Sequence, residues 1–553
     1  MKRSKPVLAK HIARFFSWLV LLVGWPYLVE AQFDTVAVAT FSTNRLIVHF
    51  RADGLLGAPT SGLAALSYYD SDGGDTLAIL EGTGVWVSGV NPGGTSYLAT
   101  SDDEFSFRPG IAPDGGSFNR IWQVSAAEIT AHREDWEDNL MIDEPIPAIY
   151  AWPGKGNPFF ESIHGFSLPD WSSEELAPFY DQDLDGTYEP QEGDYPRFDI
   201  HECAQIASAF PMDMLWYPFS TPASFEPAHD LQLTCVAGVF PCRANEILGH
   251  TLFFRLRLVH QGFERLDSFR LSHVMNLDST WYTGVLPEWS PQLVFAYPRQ
   301  MTQDNQPLVG WAPLFPPWYG EKRSVEANVT LFTTDSASIT AYPQELEEYR
   351  AVQRGAWRNG SPIVSSGIGL GPAGEPTPFA FPGFPESSPW TEWQSQNPVG
   401  SRAVVATFDE FTMLASTRLE GFFAILVEPE YSSLDEGVQK LAARFDSLFL
   451  AVSCDLGADI VHACEPGAIT PVEYHIPFAG KVSIFPNPGR SMINLVLPEV
   501  PDGHYRIFSA TGQVIHQGHH QPGEQLNVSH WPRGIYWLQL VEYPSVYCKF
   551  SLQ

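Results

Sequence analysis

"HTLFFRLRLVHQ", residues His250–Gln261, places Leu252, Phe254, Leu256 and Leu258 at every second position. A period of two lines these side chains along one face of a strand, because successive Cβ atoms of an extended chain point to opposite sides. Strand-like alternation or composition recurs in "NRLIVHF" (44–50), "GTGVWVSGV" (82–90), "ANVTLFTT" (327–334) and "FTMLASTRLEGFFAILV" (411–427). Clusters of Gly, Pro, Asn and Asp separate them, as turns require. Helical signals are few. "SAAEITAHREDW" (125–136) offers a serine cap, and "PQELEEYRAVQRGA" (343–356) runs from Pro343 and acids to basic residues and Gly355, the polarity of a helix. "SLDEGVQKLAARFDSLFLAVS" (433–453) spaces Leu434, Val438, Leu441 and Phe445 along one helical face behind Ser433 as cap. The chain therefore reads as mostly β: a β-sandwich-like body with a few covering helices, and a small C-terminal β-sandwich domain.

The chain has 553 residues and a formal net charge of −32. That length exceeds what one core organises, so roughly two to four domains are expected. The acidity argues against nucleic acid and against an anionic membrane surface as partners. "MKRSKPVLAKHIAR" is basic, "FFSWLVLLVGW" (15–25) is too short to span a bilayer, and Val29 and Ala31 stand where a signal peptidase reads. Residues 1–31 are thus expected to be a secretory signal, with no transmembrane segment in the mature chain. The expected divisions are a β-rich region at 32–130, a loop-rich segment at 131–200 with a calcium-type loop, a central β-rich domain at 201–465, a linker at 466–480 and a separate domain at 481–553. An exported chain with six cysteines is expected to form disulfides. Cys235–Cys242 and Cys454–Cys464 each close a short loop and are the expected pairs, leaving Cys203 and Cys548 over.

"DQDLDGTYEPQEGDYP" (181–196) matches the spacing of a calcium loop. Calcium takes several oxygens, with carboxylates at alternate positions and a glycine at the sharp turn. Asp181, Asp183 and Asp185 fill the alternate positions, Gly186 the turn, the Thr187 carbonyl a further position, and Glu192 the closing one, with Asp194 as its alternative. "SSEELAPFY" suits a short entering helix, but Gly193 and Pro196 stop an exiting one. The expectation is an isolated structural calcium loop rather than an EF-hand, with an affinity on the order of 0.1–1 mM. "YYDSDGGDT" (68–76) reads as a hairpin turn, "HREDWEDN" (132–139) as an exposed acidic helix face, and His516, His519 and His520 as a solvated loop.

"GWAPLFPPWYGEK" (310–322) and "FAFPGFPESSPWTEW" (379–393) read as rigid loops, because proline blocks a regular ladder. Trp311, Trp318, Tyr319, Trp390 and Trp393 form an alternative reading there, an aromatic platform for glycan. The chain has no Gly-x-Ser-x-Gly elbow, no His-Glu-x-x-His pair and no phosphate loop, so no catalytic residue is named.

The C-terminal stretch carries "FPNP" (485–488), "YRIFSATGQVI" (505–515), "LNVSHWPRGIYWLQL" (526–540) and "KFSLQ" (549–553). This set resembles the type IX secretion C-terminal sorting domain of Bacteroidota. The resemblance rests on Pro486, Asn487, Pro488, Gly512, Gly534, Ile535, Tyr536 and Lys549. It implies passage across the outer membrane by the type IX machinery, removal of the domain, and release or attachment to surface lipopolysaccharide. Removal would leave Cys548 unable to staple the mature chain, and Cys203 free. Over residues 35–300, "GVWVSGVNPGG", "EFSFRPG", "NRIWQVSAAEI", "PIPAIYAWPGKGNP" and "APFYDQDLDGTYEPQEGDYP" occur in the order found in a group of large exported Bacteroidota proteins that the body resembles. That resemblance supplies no reaction. Where the group carries a dense acidic cluster after "HVMNLD", this chain keeps Asp278 alone. The reading is an exported surface or secreted β-rich protein, calcium-stabilised and without enzymatic activity; the alternative is a glycan-binding or glycan-degrading protein.

Overall fold

The computed structural model describes residues 36–54, 64–69, 76–101, 105–111, 118–171, 175–198, 212–243, 245–289, 291–300, 306–319, 321–332 and 337–452, and in the tail 483–485, 492–496, 504–509, 514–519, 525–540 and 547–552. The signal residues Val29 and Ala31, the motif residues Pro486, Asn487, Pro488 and Gly512, and Cys203, Cys454 and Cys464 lie outside the described residues.

The opening stretch is a strand, Thr251–His260, and every residue in it is buried. It lies inside a ten-stranded sheet, between Leu231–Val239 and Arg418–Glu428. Leu252, Phe254, Leu256 and Leu258 enter the largest core, which fills the space between this sheet, a six-stranded sheet and a four-stranded sheet. The other parity carries Arg255 and Arg257, which are buried yet share the Glu420 carboxylate at 3.5 and 2.9 Å. Their charge is tolerated inside the fold because it is paired. Both faces of the sheet are therefore covered, and the period of two survives with polar residues on the second face.

That second face packs on the amphipathic helix Leu434–Val452, whose Leu434, Val438, Leu441 and Phe445 are fully buried as their spacing predicted. Ser433 accepts a hydrogen bond from the Glu436 N–H at 3.2 Å and caps it. The six-stranded sheet is covered on its outer face by Leu346–Gln353, which buries Tyr349 and Val352. Ser125 opens Ala126–Asn139 with a reciprocal capping box to Glu128. The body is thus two sheet layers between helices, in line with the expected sandwich.

Strand Gly82–Val90 pairs with Leu266–Leu277, so the ranges 32–130 and 201–465, read from sequence as separate regions, contribute strands to one sheet. "GWAPLFPPWYGEK" is corrected from loop to strand. Leu308–Tyr319 pairs with Leu293–Pro298 and Arg418–Glu428, and its register shifts between Pro313 and Phe315 and again before Trp318. Such irregularities let prolines sit in a ladder to which they cannot donate. The second Trp/Pro stretch is irregular, as expected, with a single helical turn at Glu392–Ser395. The Cys235–Cys242 pairing is also corrected: Cys235 carries a free, buried thiol, while Cys242 is disulfide-bonded. Cys235 points from Leu231–Val239 into the main core, with its thiol pushed up to about 12 by burial.

In the tail, a three-stranded sheet (Ser483–Phe485, Met492–Val496, Gln525–Asn527) and a four-stranded sheet (Val514–His519, His504–Ser509, Gly534–Leu540, Tyr547–Leu552) carry one small core. Ile493, Leu495, Tyr505, Ile507, Tyr536 and Leu538 fill it. Gly534 and Ile535 open one strand, and Lys549 pairs opposite Trp537 in the adjacent one. Tyr536 is buried and donates its hydroxyl to the Pro532 carbonyl. His516 and His519 lie on the strand Val514–His519 rather than in a loop.

Candidate metal loop

The 181–194 loop grows from a two-residue hairpin in which Phe179–Tyr180 pairs with Tyr195–Pro196. Tyr180 and Tyr195 face each other across it with ring centroids 4.8 Å apart and planes at 16°. Arg133 stacks over Tyr195 at 5.5 Å and Arg197 over Tyr180 at 5.9 Å, so the base of the loop is an aromatic clamp between cations. Tyr188, fully buried, anchors the middle of the loop by donating to the Ile149 carbonyl at 2.8 Å. Gly193 is required where the chain returns. Its φ is +93°, and a Cβ there would lie 2.7 Å from the Trp136 ring.

Above this base the backbone winds around the acidic side chains. Asp181 accepts from the Leu184 N–H at 2.6 Å and the Asp185 N–H at 3.2 Å through one oxygen, and from Gly186 N–H at 2.7 Å through the other. Asp185 accepts from Thr187 N–H at 2.7 Å. Leu184 and Gly186 take left-handed φ values of 66° and 83°, which tightens the turn as the glycine predicted. The outcome is convergence: Asp181, Asp183 and Asp185 each offer a carboxylate oxygen, and these oxygens lie within 4.8 Å of one another. Hard oxygen donors gathered at that spacing fit a hard divalent cation.

The two candidate closing residues differ. Glu192 ends a single 3-10 turn, Pro190–Glu192, and its side chain is exposed. Asp194 is buried and ties the loop ends together, accepting from Gln182 N–H and Glu189 N–H, each at 2.8 Å. Burial pushes its carboxyl up to about 6, against the pull of those two N–H groups, and the charges of Asp181 and Asp183 add to the rise. Thr187 follows the glycine on the same turn, held by its bond to Asp185. Among the described residues no exiting helix follows, in keeping with Gly193 and Pro196, and those before the loop, 175–178, form no helix either.

Among the described side chains, the aromatic residues considered for glycan are not brought together. Trp311 is fully buried between the sheets, stacked on His273 at 4.5 Å and on Phe423 at 5.6 Å, and cannot meet an external sugar. Trp390 is 8% exposed and donates to the Gly367 carbonyl at 3.0 Å. Trp393 is half-buried against the second core, and the Trp318 side chain lies outside the described set. Burial of Trp311 follows from its strand, which the prolines around it concealed. Asp278 serves its own turn, accepting from the Thr280 N–H at 2.7 Å. The Tyr180–Tyr195 clamp carried no signal in the sequence beyond two tyrosines flanking an acidic run.

A family model of the secretion system C-terminal sorting domain matches residues 483–549. A search of the curated proteins gives no match. A solved polysaccharide lyase is similar at 8% identity over 65% of this chain, with a TM-score of 0.20, a likeness that carries no argument. The chain spans 37% of the length of that lyase. The sorting tail marks the chain for export to the cell surface or beyond and implies engagement with the type IX secretion machinery. No helix among the described residues is long and apolar enough to cross a membrane.

Proposed function

We propose that this chain, delivered to the cell exterior by its type IX sorting tail, is a non-enzymatic β-rich surface or secreted protein whose 181–194 loop is held by a structural calcium ion. The observation that carries the reading is the convergence of the Asp181, Asp183 and Asp185 oxygens within 4.8 Å on a turn built around Gly186. Carboxylates so close repel one another, and a divalent cation converts that repulsion into a cross-link. The loop sits on an aromatic clamp and its return strand lies against Ala126–Asn139, so a bound ion would stiffen a surface arm of the body rather than move one element against another.

Thermal unfolding of the exported protein, with calcium and with chelator, tests the proposal. Calcium at ten times its dissociation constant adds about 1.4 kcal/mol by linkage, so the melting temperature of a body this large should fall by about 1–2 °C on chelation. Asp181→Ala combined with Asp183→Ala should abolish that response. An unchanged melting curve in chelator removes the ion from the account.

A further inference from the structure

The strands Asp213–Ser220 and Leu231–Val239 are joined by a turn, residues 221–230, that sits against the end of the strand Thr251–His260. Its backbone is seated closely there. Gln261 N–H and Gly262 N–H donate to the Asp230 carbonyl at 3.0 and 3.2 Å, and Glu264 N–H donates to the Ala228 carbonyl at 3.0 Å. A Cβ at Gly262 would lie 2.1 Å from that Ala228 oxygen. Glu226, within the turn, takes φ +52°, a strained value for a residue with a Cβ and one that persists only while surrounding contacts hold it. Two histidines are buried at this junction, His229 and His260, each 1% exposed. His229 stacks on Tyr97 at 4.6 Å, and its Nε2 lies 3.3 Å from the Glu264 carboxylate. His260 Nδ1 lies 2.9 Å from the Leu414 carbonyl oxygen. A carbonyl only accepts, so Nδ1 carries the proton and the neutral ring leaves Nε2 bare. That Nε2 has no hydrogen-bond partner among the described residues.

We infer that the 221–230 turn is a proton-operated latch: it stays closed while His260 Nε2 is bare, and lifts when that nitrogen takes a proton. A charged imidazole needs an acceptor or water at its second N–H, and the closed turn gives Nε2 no acceptor. The charged groups around it are committed elsewhere. Asp230, on the turn, accepts from the Thr221 hydroxyl at 2.7 Å and lies 3.7 Å from Arg108. Glu264, beyond the strand, meets His229 instead, and Tyr97 and Glu226 lie on that same side. Arg418, just past the Leu414–Thr417 turn, pairs with Glu175 at 3.8 Å. Burial is the largest influence and holds His260 below the usual imidazole range. A charge on His229 pushes the same way, and the Leu414 carbonyl and Asp230 offset part of the effect. The lifted turn therefore takes up its proton at a higher pH than the closed one, and closure weakens as pH falls below about 6.5. Lifting would uncover Phe225, which is fully buried, and admit water to that end of the main core.

Amide hydrogen exchange of the full chain, followed from about pH 7.5 to about pH 5, tests the latch. Protection of the Gln261, Gly262 and Glu264 amides should fall by up to about tenfold per pH unit below about 6.5, the limit set by one extra proton. The Phe254 amide, in the middle of the same strand, should keep its protection. Protection that does not change with pH, or that falls equally at Phe254, overturns the latch. His260→Asn keeps an N–H for the Leu414 carbonyl but cannot be charged, and should flatten the profile. His229→Phe keeps a ring on Tyr97 and leaves His260 to titrate, and should retain the fall. A fall that survives in the first variant, or vanishes in the second, refutes His260 as the group that releases the turn.

Discussion

Replacing Asp446 by Asn should stabilise the body at neutral pH and leave it unchanged in acid. Asp446 lies on Leu434–Val452, near the end of the helix that covers the ten-stranded sheet, and accepts from the Trp289 indole N–H at 3.2 Å. Burial pushes its carboxyl from 3.8 to about 7, and the Trp289 bond offsets only part of that rise. The folded state thus holds a proton that the unfolded state has released between those two values. Stability must fall as pH rises from about 4 to about 7, and level off above, where both states are ionised. That rise of the carboxyl corresponds to about 4 kcal/mol, an upper bound because Asp446 is half-buried rather than fully buried. A gain of about 2–3 kcal/mol for Asp446→Asn at pH 8 is expected, shrinking to near zero at pH 4. Asn keeps an acceptor for Trp289 and has no charge to bury. Urea unfolding of both proteins at the two pH values measures it. An Asn variant no more stable than the parent at pH 8 refutes the placement of a destabilising carboxylate under the helix.

Trp311→Ala should cost about 3–5 kcal/mol in urea unfolding, as for a large ring removed from a core; a variant of native stability that had lost glycan binding would reverse the reading of Trp311. Glu392→Ala should cost about 3–5 kcal/mol, because it strands Arg402, which is 1% exposed and held at 3.0 Å by that carboxylate. Glu392→Gln should cost less, since an acceptor persists for the Thr283 N–H now bonded at 3.0 Å. Cys235 should resist iodoacetamide in the native protein and react after unfolding, given its burial and its raised thiol. Rapid native alkylation, read by peptide mapping, would contradict its place in the core.

Much of the architecture was legible wherever one physical rule dominated. The capping box at Ser125 and the buried stripe Leu434–Val438–Leu441–Phe445 rest on local chemistry, and both form as read. The tail strands follow from alternation and glycine turns in the same way. The sequence misled where tertiary context decided. Leu308–Tyr319 looked like a loop because proline cannot donate to a ladder, yet two register shifts absorb the prolines and leave Trp311 at the centre of the sandwich. The short spacing of Cys235 and Cys242 suggested a bond, but strand alternation points Cys235 into the core, away from that pairing. The acidic loop was legible in spacing, and the convergence of its oxygens agrees with that spacing. The roles of Asp194, as a buried tie between Gln182 and Glu189, and of the tyrosine clamp depend on the chain's return path, which no local pattern encodes.

Strand Arg418–Glu428 lies between Thr251–His260 and Leu308–Tyr319, and so is the late-made piece that joins two earlier blocks of the sheet. A nascent chain that has not yet delivered it carries two unpaired strand edges, each rich in apolar residues, and such edges invite aggregation. The body therefore cannot close progressively from its N-terminus as it is synthesised or exported. It must wait for its last strand, and a chain truncated before residue 418 should accumulate as an insoluble species rather than as a smaller folded domain.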